Sequence, residues 1–251
     1  EAIAAITSLP EPWLTYVSFN APHTPFHAPP ALACPASPCP QSLCGNLPTN
    51  PTSAQYAKAM SEAMDQEIGR VLTVLHAVDP NAYIIFMGDN GTARQATEPP
   101  FNRDHAKGTM YEGGVNVPLV ITGPGIRPGE CDALVSVVDL YATIAELARI
   151  RTATEDSVSM VPYFRDASLS LRDTVYSESF SPNGGTLPFT SHGRAVRDER
   201  YKLIRTTGQA DEFYDLVADP FEATDLAPSL TSVQQSAYDR LVARLVALGV
   251  A

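Results

Sequence analysis

The segment Ala82-Tyr-Ile-Ile-Phe-Met87 constrains this chain more than any other, because six consecutive apolar or aromatic residues leave no polar face to turn toward water. Alternation would mark a strand with one wet face, whereas a near-continuous run of this length marks a strand covered on both faces. Such a strand needs helical layers, and the preceding residues supply one. From Ser53, a candidate cap, the apolar positions Ala57, Met60, Met64, Ile68, Val71, Leu72 and Leu75 step by threes and fours, the period of a helix. Further upstream, Leu14-Thr-Tyr-Val-Ser-Phe19 is β-branched and aromatic and reads as another strand. Strand, helix, strand is a βαβ unit, so the prediction is an α/β fold with a mixed, largely parallel sheet between helices.

The same pattern continues with a strand at Val117-Pro-Leu-Val-Ile-Thr122, closed by Gly123-Pro-Gly125, and a helix from Asp139 to Arg149. Beyond about residue 165 the character changes to short strands at Thr174–Ser177, Arg194–Arg197 and Tyr201–Arg205, the last two joined by the turn Asp198-Glu-Arg200. A final helix starts at Ser232, with Gln235 placed for a capping box and Tyr238, Leu241, Leu245 and Leu248 as its buried stripe. The expected division is therefore residues 1–165 as an α/β portion and residues 166–251 as a small α+β subdomain of antiparallel strands plus a helix.

Proline occupies 22 of 251 positions, and nine of these lie between Pro22 and Pro51, so that stretch reads as a long irregular loop. Long loops within compact domains are often functional. With 17 Lys and Arg against 28 Asp and Glu the formal net charge is −11. A broad electrostatic grip on nucleic acid or an anionic membrane is excluded on that balance, and any anionic ligand must be held at one local site. No apolar stretch reaches the roughly 18 residues of a membrane span. Cys34, Cys39 and Cys44 crowd one loop while Cys131 stands apart, compatible with one or two disulfides in an exported protein and equally with free thiols. The start Glu1-Ala-Ile-Ala-Ala-Ile lacks an initiator Met and the basic opening of a signal peptide, and it reads as a cut from something longer.

Three polar groups follow three apolar segments. Gly88-Asp-Asn-Gly91 comes directly after the most apolar strand, where Asp89 and Asn90 offer the hard oxygen donors that Ca²⁺ or Mg²⁺ prefers. Asn-Gly is also among the commonest turn dipeptides, so alone the segment reads as a plain turn ahead of a metal site. Lys107 opens the glycine-rich Lys107-Gly-Thr-Met-Tyr-Glu-Gly-Gly114, 18 positions after Asp89, without the order of a nucleotide-binding P-loop. A compact ammonium beside a metal suits a tetrahedral oxyanion, although most lone lysines are solvated surface charges. His23 sits between prolines in Asn20-Ala-Pro-His-Thr-Pro25, where it could protonate a leaving oxygen or serve a structural role. Tyr111, Glu112 and Asp139 read as organisers of loops and helix starts, and Glu178 and His192 as candidates to reach over a cleft.

Val17-Ser-Phe-Asn-Ala-Pro-His-Thr-Pro25, Met87-Gly-Asp-Asn-Gly91, Lys107-Gly-Thr-Met-Tyr-Glu-Gly-Gly-Val-Asn-Val-Pro118, Ser136-Val-Val-Asp-Leu-Tyr141, the Arg194 and Tyr201 segments, and Phe213-Tyr-Asp-Leu-Val-Ala-Asp-Pro220 occur in one order. In that order the chain resembles the sulfatase family of the alkaline-phosphatase-like superfamily over nearly its whole length. The resemblance implies hydrolysis of a small-molecule or carbohydrate sulfate ester. It implies Asp89 and Asn90 as ligands of a divalent cation, usually calcium with magnesium as the alternative, and Lys107 and His23 as sulfate contacts. It also implies a formylglycine nucleophile and an acidic pair supplied by the N-terminal half of the same protein, in a secreted, periplasmic or lysosome-like compartment. Neither feature is visible here: Cys34-Pro-Ala-Ser-Pro38 imitates the formylglycine signature until Pro38 stands where it requires Arg. The rival expectations are a phosphoesterase or phosphonate hydrolase of the same superfamily, and a non-catalytic fragment that keeps the fold only.

Overall fold

A computed structural model describes residues 1–35, 40–182 and 188–249. The described residues form two compact units.

The first unit comprises residues 1–87, 92–99 and 119–124. Its helices are α1 (Ala2–Ser8) and the long α2 (Ser53–Val78), and its strands β1 (Ile84–Met87) and β2 (Leu119–Thr122). Helix α2 is capped by Thr52, one residue before the expected Ser53. The Thr52 hydroxyl accepts from the Gln55 amide N–H while the Gln55 side chain accepts from the Thr52 N–H, a reciprocal capping box that satisfies two otherwise orphaned donors. Ala59, Met60, Ala63 and Leu75 form its buried stripe.

Within this unit, the expected parallel pairing is not formed among the described residues. Strands β1 and β2 run antiparallel, in register from Ile84 opposite Thr122 to Met87 opposite Leu119. Residues Leu14–Phe19 carry no strand, and Leu14 and Tyr16 are 70% and 86% exposed. A strand exists only through its ladder, and without a neighbour the β-branched pattern of this segment has nothing to pair with. Among the described residues the proline-rich stretch is irregular as expected, apart from one short turn at Ala31–Ala33. It is tied down by a disulfide between Cys34 and Cys44 and by Glu62 of α2. One carboxylate oxygen of Glu62 accepts from the Ser42 hydroxyl and from the backbone N–H groups of Leu43 and Cys44. Burial alone would push that carboxyl up, but these donors and the Lys58 charge hold it below its ordinary value.

The second unit comprises residues 88–91, 100–118 and 125–249 of those described. A four-stranded antiparallel sheet, β3 (Val175–Ser181), β4 (Ser191–Arg197), β5 (Tyr201–Thr206) and β6 (Glu212–Asp215), runs in chain order. The turn at Asp198–Arg200 joins β4 to β5 as anticipated, with Asp198 accepting from the Arg200 and Tyr201 N–H groups. Strand β6 went unrecognised as a strand in the sequence. Helix α5 (Ser232–Ala247) starts from Thr231, whose capping box uses Gln234 rather than Gln235. It packs Ala237, Leu241 and Leu245 on Val196, Tyr201, Leu203 and Phe213 of one sheet face. Leu241, Leu245, Leu203 and Phe213 are fully buried, each contributing about 1.5–3 kcal/mol by leaving water.

Ala195, Ile204, Tyr214 and Leu216 form the second core on the other sheet face, against Met110 and Tyr111. Strand β5 is therefore covered on both sides. Helix α4 (Asp139–Leu147) buries Asp139 and Thr143 rather than an apolar stripe. This is tolerable because Asp139 is fully partnered: it accepts from the Ser136 and Val158 N–H groups and pairs with the Arg172 guanidinium.

Candidate functional site

Lys107 and the Asp89–Asn90 turn belong to the second unit, and the short helix α3 (Glu112–Val115) lies between their loops. The Gly91 N–H donates to the Gly114 carbonyl at 3.0 Å, and the Gly88 N–H to the Pro118 carbonyl at 3.0 Å. A Cβ added at Gly91 would stand 1.9 Å from the Gly113 oxygen. On its other side, a Cβ at Gly113 would stand 2.5 Å from the His105 oxygen, and one at Gly114 2.4 Å from the Thr109 oxygen. Three layers of backbone, residues 88–91, α3, and residues 105–109, thus stack at a spacing only glycine permits. That stack is the physical reason for the Gly-Gly pair, and it holds the two loops on one short element.

The loop side chains are free for a ligand. Asp89 and Lys107 are exposed and Asn90 half-buried, and none of the three has a hydrogen bond or ion pair among the described residues. Two hard oxygen donors on a clamped turn fit part of a Ca²⁺ or Mg²⁺ coordination sphere, which for calcium takes six to eight oxygens. No group of three or more His, Cys, Asp or Glu side chains able to hold a metal occurs among the described residues. Asp89 and Asn90 are accordingly a partial donor set.

Helix α3 is anchored from below by charge. Glu112 accepts from Lys202 Nζ at 2.9 Å and from Arg197 Nη1 at 2.7 Å. Lys202 also pairs with Glu222 at 2.8 Å, and the other Glu222 oxygen accepts from the Glu112 N–H at 2.6 Å. The side chains of Lys202 and Glu222 are both only 1% exposed. Burial pushes the Glu222 carboxyl up, against the opposing pull of the Lys202 ammonium. Glu112 thus organises a helix start as expected, but the lysine beneath it was not foreseen. Its signal was present: a cation inside the otherwise apolar Tyr201-Lys-Leu-Ile204 must be paired if the strand is buried.

A second clamp holds the Lys107 loop. The His105 ring stacks on Tyr111 with centroids 3.6 Å apart, and the Tyr111 hydroxyl donates to Glu212 at 2.6 Å. Tyr214 donates to the same Glu212 oxygen at 2.6 Å. Burial and then the Glu212 carboxylate raise both phenols well above their ordinary range, keeping them as donors at any physiological pH.

His23 belongs to the first unit. It is exposed, and its Nδ1 donates to the Thr24 carbonyl at 2.7 Å, which fixes the tautomer and leaves Nε2 available. Cys34, the residue that begins the imitation of the formylglycine signature, is committed to its disulfide with Cys44. Residues 36–38 of that imitation lie outside the described residues. Cys131 is exposed and has no disulfide. His192 pairs with Glu178 at 3.1 Å and stacks on Phe180. In the strand alternation these side chains fall on the α5 face of the sheet, away from the face that Met110 and Tyr111 cover.

Comparison with known proteins identifies the family. The Sulfatase family model matches residues 1–150, and that of the N-sulphoglucosamine sulphohydrolase C-terminal region matches residues 103–248. A sulfatase of Formosa agariphila is 31% identical over 248 residues, covering 89% of this chain and 43% of that protein. Arylsulfatase K of Xenopus laevis is 30% identical over 186 residues, 68% of this chain and 33% of its own length. The chain thus spans less than half the length of these relatives. The solved structure of Ps i-CgsB in complex with k-i-k-neocarrahexaose shares the fold at a TM-score of 0.70 and 22% identity, over 91% of this chain and 48% of that one. With family models matching most of its length and the glycine-spaced Asp-Asn and Lys loops in place, the chain belongs to the sulfatase family.

Proposed function

We propose that this chain is the carboxyl-terminal part of a sulfatase catalytic domain with its small C-terminal subdomain, hydrolysing a sulfate ester to an alcohol and inorganic sulfate. The observation that carries the reading is the shared seat of the Asp89–Asn90 turn and the Lys107 loop on α3, with all three side chains unengaged. Asp89 and Asn90 would hold a divalent cation, calcium by preference with magnesium as the alternative; when bound it supplies Lewis-acid stabilisation of sulfuryl charge. Lys107 offsets the negative charge that accumulates on a sulfuryl oxygen as the S–O bond to the alcohol breaks. His23 donates from Nδ1 to the Thr24 carbonyl, so the proton for the departing alkoxide would come from Nε2 of its imidazolium form.

The nucleophile in this reading is a formylglycine hydrate from the part of the relatives that this chain does not span. The disulfide at Cys34 supports that placement, because a cysteine bound in a cystine cannot be converted. Alone, the 251 residues are expected to be inactive. The discriminating experiment joins them to the amino-terminal part of the catalytic domain and compares turnover of 4-nitrophenyl sulfate with that of 4-nitrophenyl phosphate and phenyl phosphonate esters. Preferential sulfate turnover, lost when the modifiable Cys or Ser is replaced by Ala, is expected. Preferential phosphate or phosphonate turnover would assign the chain to a phosphoesterase chemistry instead.

A further inference from the structure

A cleft of about 250 Å³ opens on the face of the four-stranded sheet opposite α5, beside the loop that follows Lys107. Its floor is a cross-strand row in which Ser179, Gly193 and Thr206 stand opposite one another on β3, β4 and β5. The missing side chain at Gly193 makes the depression. A Cβ there would meet only Met110 Cγ at 3.5 Å and the Thr206 hydroxyl at 3.8 Å, ordinary contact distances, so neither strain nor close backbone approach requires glycine at this point. Tyr111 supplies an aromatic wall, and Glu212 closes one end. Glu212 takes both tyrosine hydroxyls on Oε2, leaving Oε1 without a protein partner among the described residues.

The chemistry of this lining is specific. Hydroxyl groups, one carboxylate oxygen and an aromatic edge suit a ligand with many hydroxyls of its own and an apolar ring face. Among the described residues the lining holds no Lys, Arg or His. A second anionic group placed here would meet the Glu212 carboxylate with no counter-charge, in a chain already at −11. We propose that this cleft binds a single neutral pyranose ring, so that the sulfate ester presented to Lys107 is carried on an otherwise uncharged sugar. The identity of the ester as substrate rests on the sulfatase reading; ring binding itself does not, and it can be measured without turnover.

The test is a titration of the ¹⁵N-labelled chain, followed by amide shifts, with the methyl pyranosides of glucose, galactose, mannose and N-acetylglucosamine, and with methyl glucuronide as the anionic counterpart. The cleft is expected to bind at least one neutral ring with Kd about 1 mM, shifting the Gly108, Gly193 and Thr206 amides. Gly193→Val, which fills the depression from a position that accepts a Cβ, should weaken binding by about tenfold or more. Thr206→Val, nearly isosteric, should weaken it by about fivefold through loss of one hydrogen bond. Methyl glucuronide should bind more weakly than the best neutral ring by about tenfold. Absence of cleft shifts with all four neutral rings, equal or tighter binding of the glucuronide, or unchanged binding by Gly193→Val overturns the proposal. A complete catalytic domain that hydrolyses sulfate esters while the chain binds no ring would refute the cleft alone, and a chain that binds a ring while the complete domain hydrolyses no sulfate would refute the sulfatase reading alone.

Discussion

Replacing Lys202 with methionine is expected to destabilise the chain by about 3–5 kcal/mol, because it leaves the Glu222 carboxylate buried without a counter-charge. Methionine matches the length of the lysine stem, so little packing is lost and the change reports charge. The Glu222 carboxyl is 1% exposed, and the Glu112 carboxyl keeps only Arg197. In a unit of this size such a loss corresponds to a fall in Tm of about 10 °C, readable by calorimetry or urea titration. The double variant Lys202→Met with Glu222→Leu removes both charges and should recover at least half of the loss, since a buried pair is often replaceable by apolar groups of similar volume. A single variant costing under about 1 kcal/mol would show that the pair is hydrated and that α3 is held by other contacts.

Asp89→Ala and Lys107→Ala should behave in the opposite way. Each is expected to lower kcat/KM for 4-nitrophenyl sulfate by about 10²–10³ in the complete catalytic domain, the usual consequence of deleting one group that stabilises transition-state charge. Stability should change by no more than about 0.5 kcal/mol, because both side chains are exposed and unengaged among the described residues. Raised calcium should partly restore Asp89→Ala, where a ligand is missing but the remaining donors stay, and should not restore Lys107→Ala. Lys107→Arg is not expected to rescue, since a planar fork cannot occupy the place of a compact ammonium. Full activity in both alanine variants would remove these residues from the site.

Local signals carried the sequence reading where the structure is locally determined. Strands β1, β2 and β5, the β4–β5 turn and helices α2 and α5 follow from apolar periodicity and turn residues, with caps displaced by one position. The Asp89–Asn90 turn and the Lys107 loop were legible because each follows an apolar strand or opens a glycine-rich run. What escaped depends on distant partners. Leu14–Phe19 has the composition of a strand and lacks a ladder. Strand β6 is four residues long and earns its register from β5, not from its own pattern. Lys202 lies 90 residues from Glu112, and Tyr111 lies 101 from Glu212. Neither pairing has any local trace beyond a polar group in an apolar setting. The glycines that space the two loops were visible as letters, but their reason, a carbonyl 1.9 Å from where a Cβ would stand, is purely tertiary.

A crystal structure of the complete catalytic domain grown in calcium and inorganic sulfate tests directly whether Asp89, Asn90 and Lys107 form one part of a metal-assisted sulfate site. The expected map shows a cation bound by the Asp89 carboxylate and the Asn90 side-chain oxygen, with a sulfate oxygen within hydrogen-bond distance of Lys107 Nζ. A cation held without either residue, or a sulfate bound while Lys107 faces solvent, would contradict it.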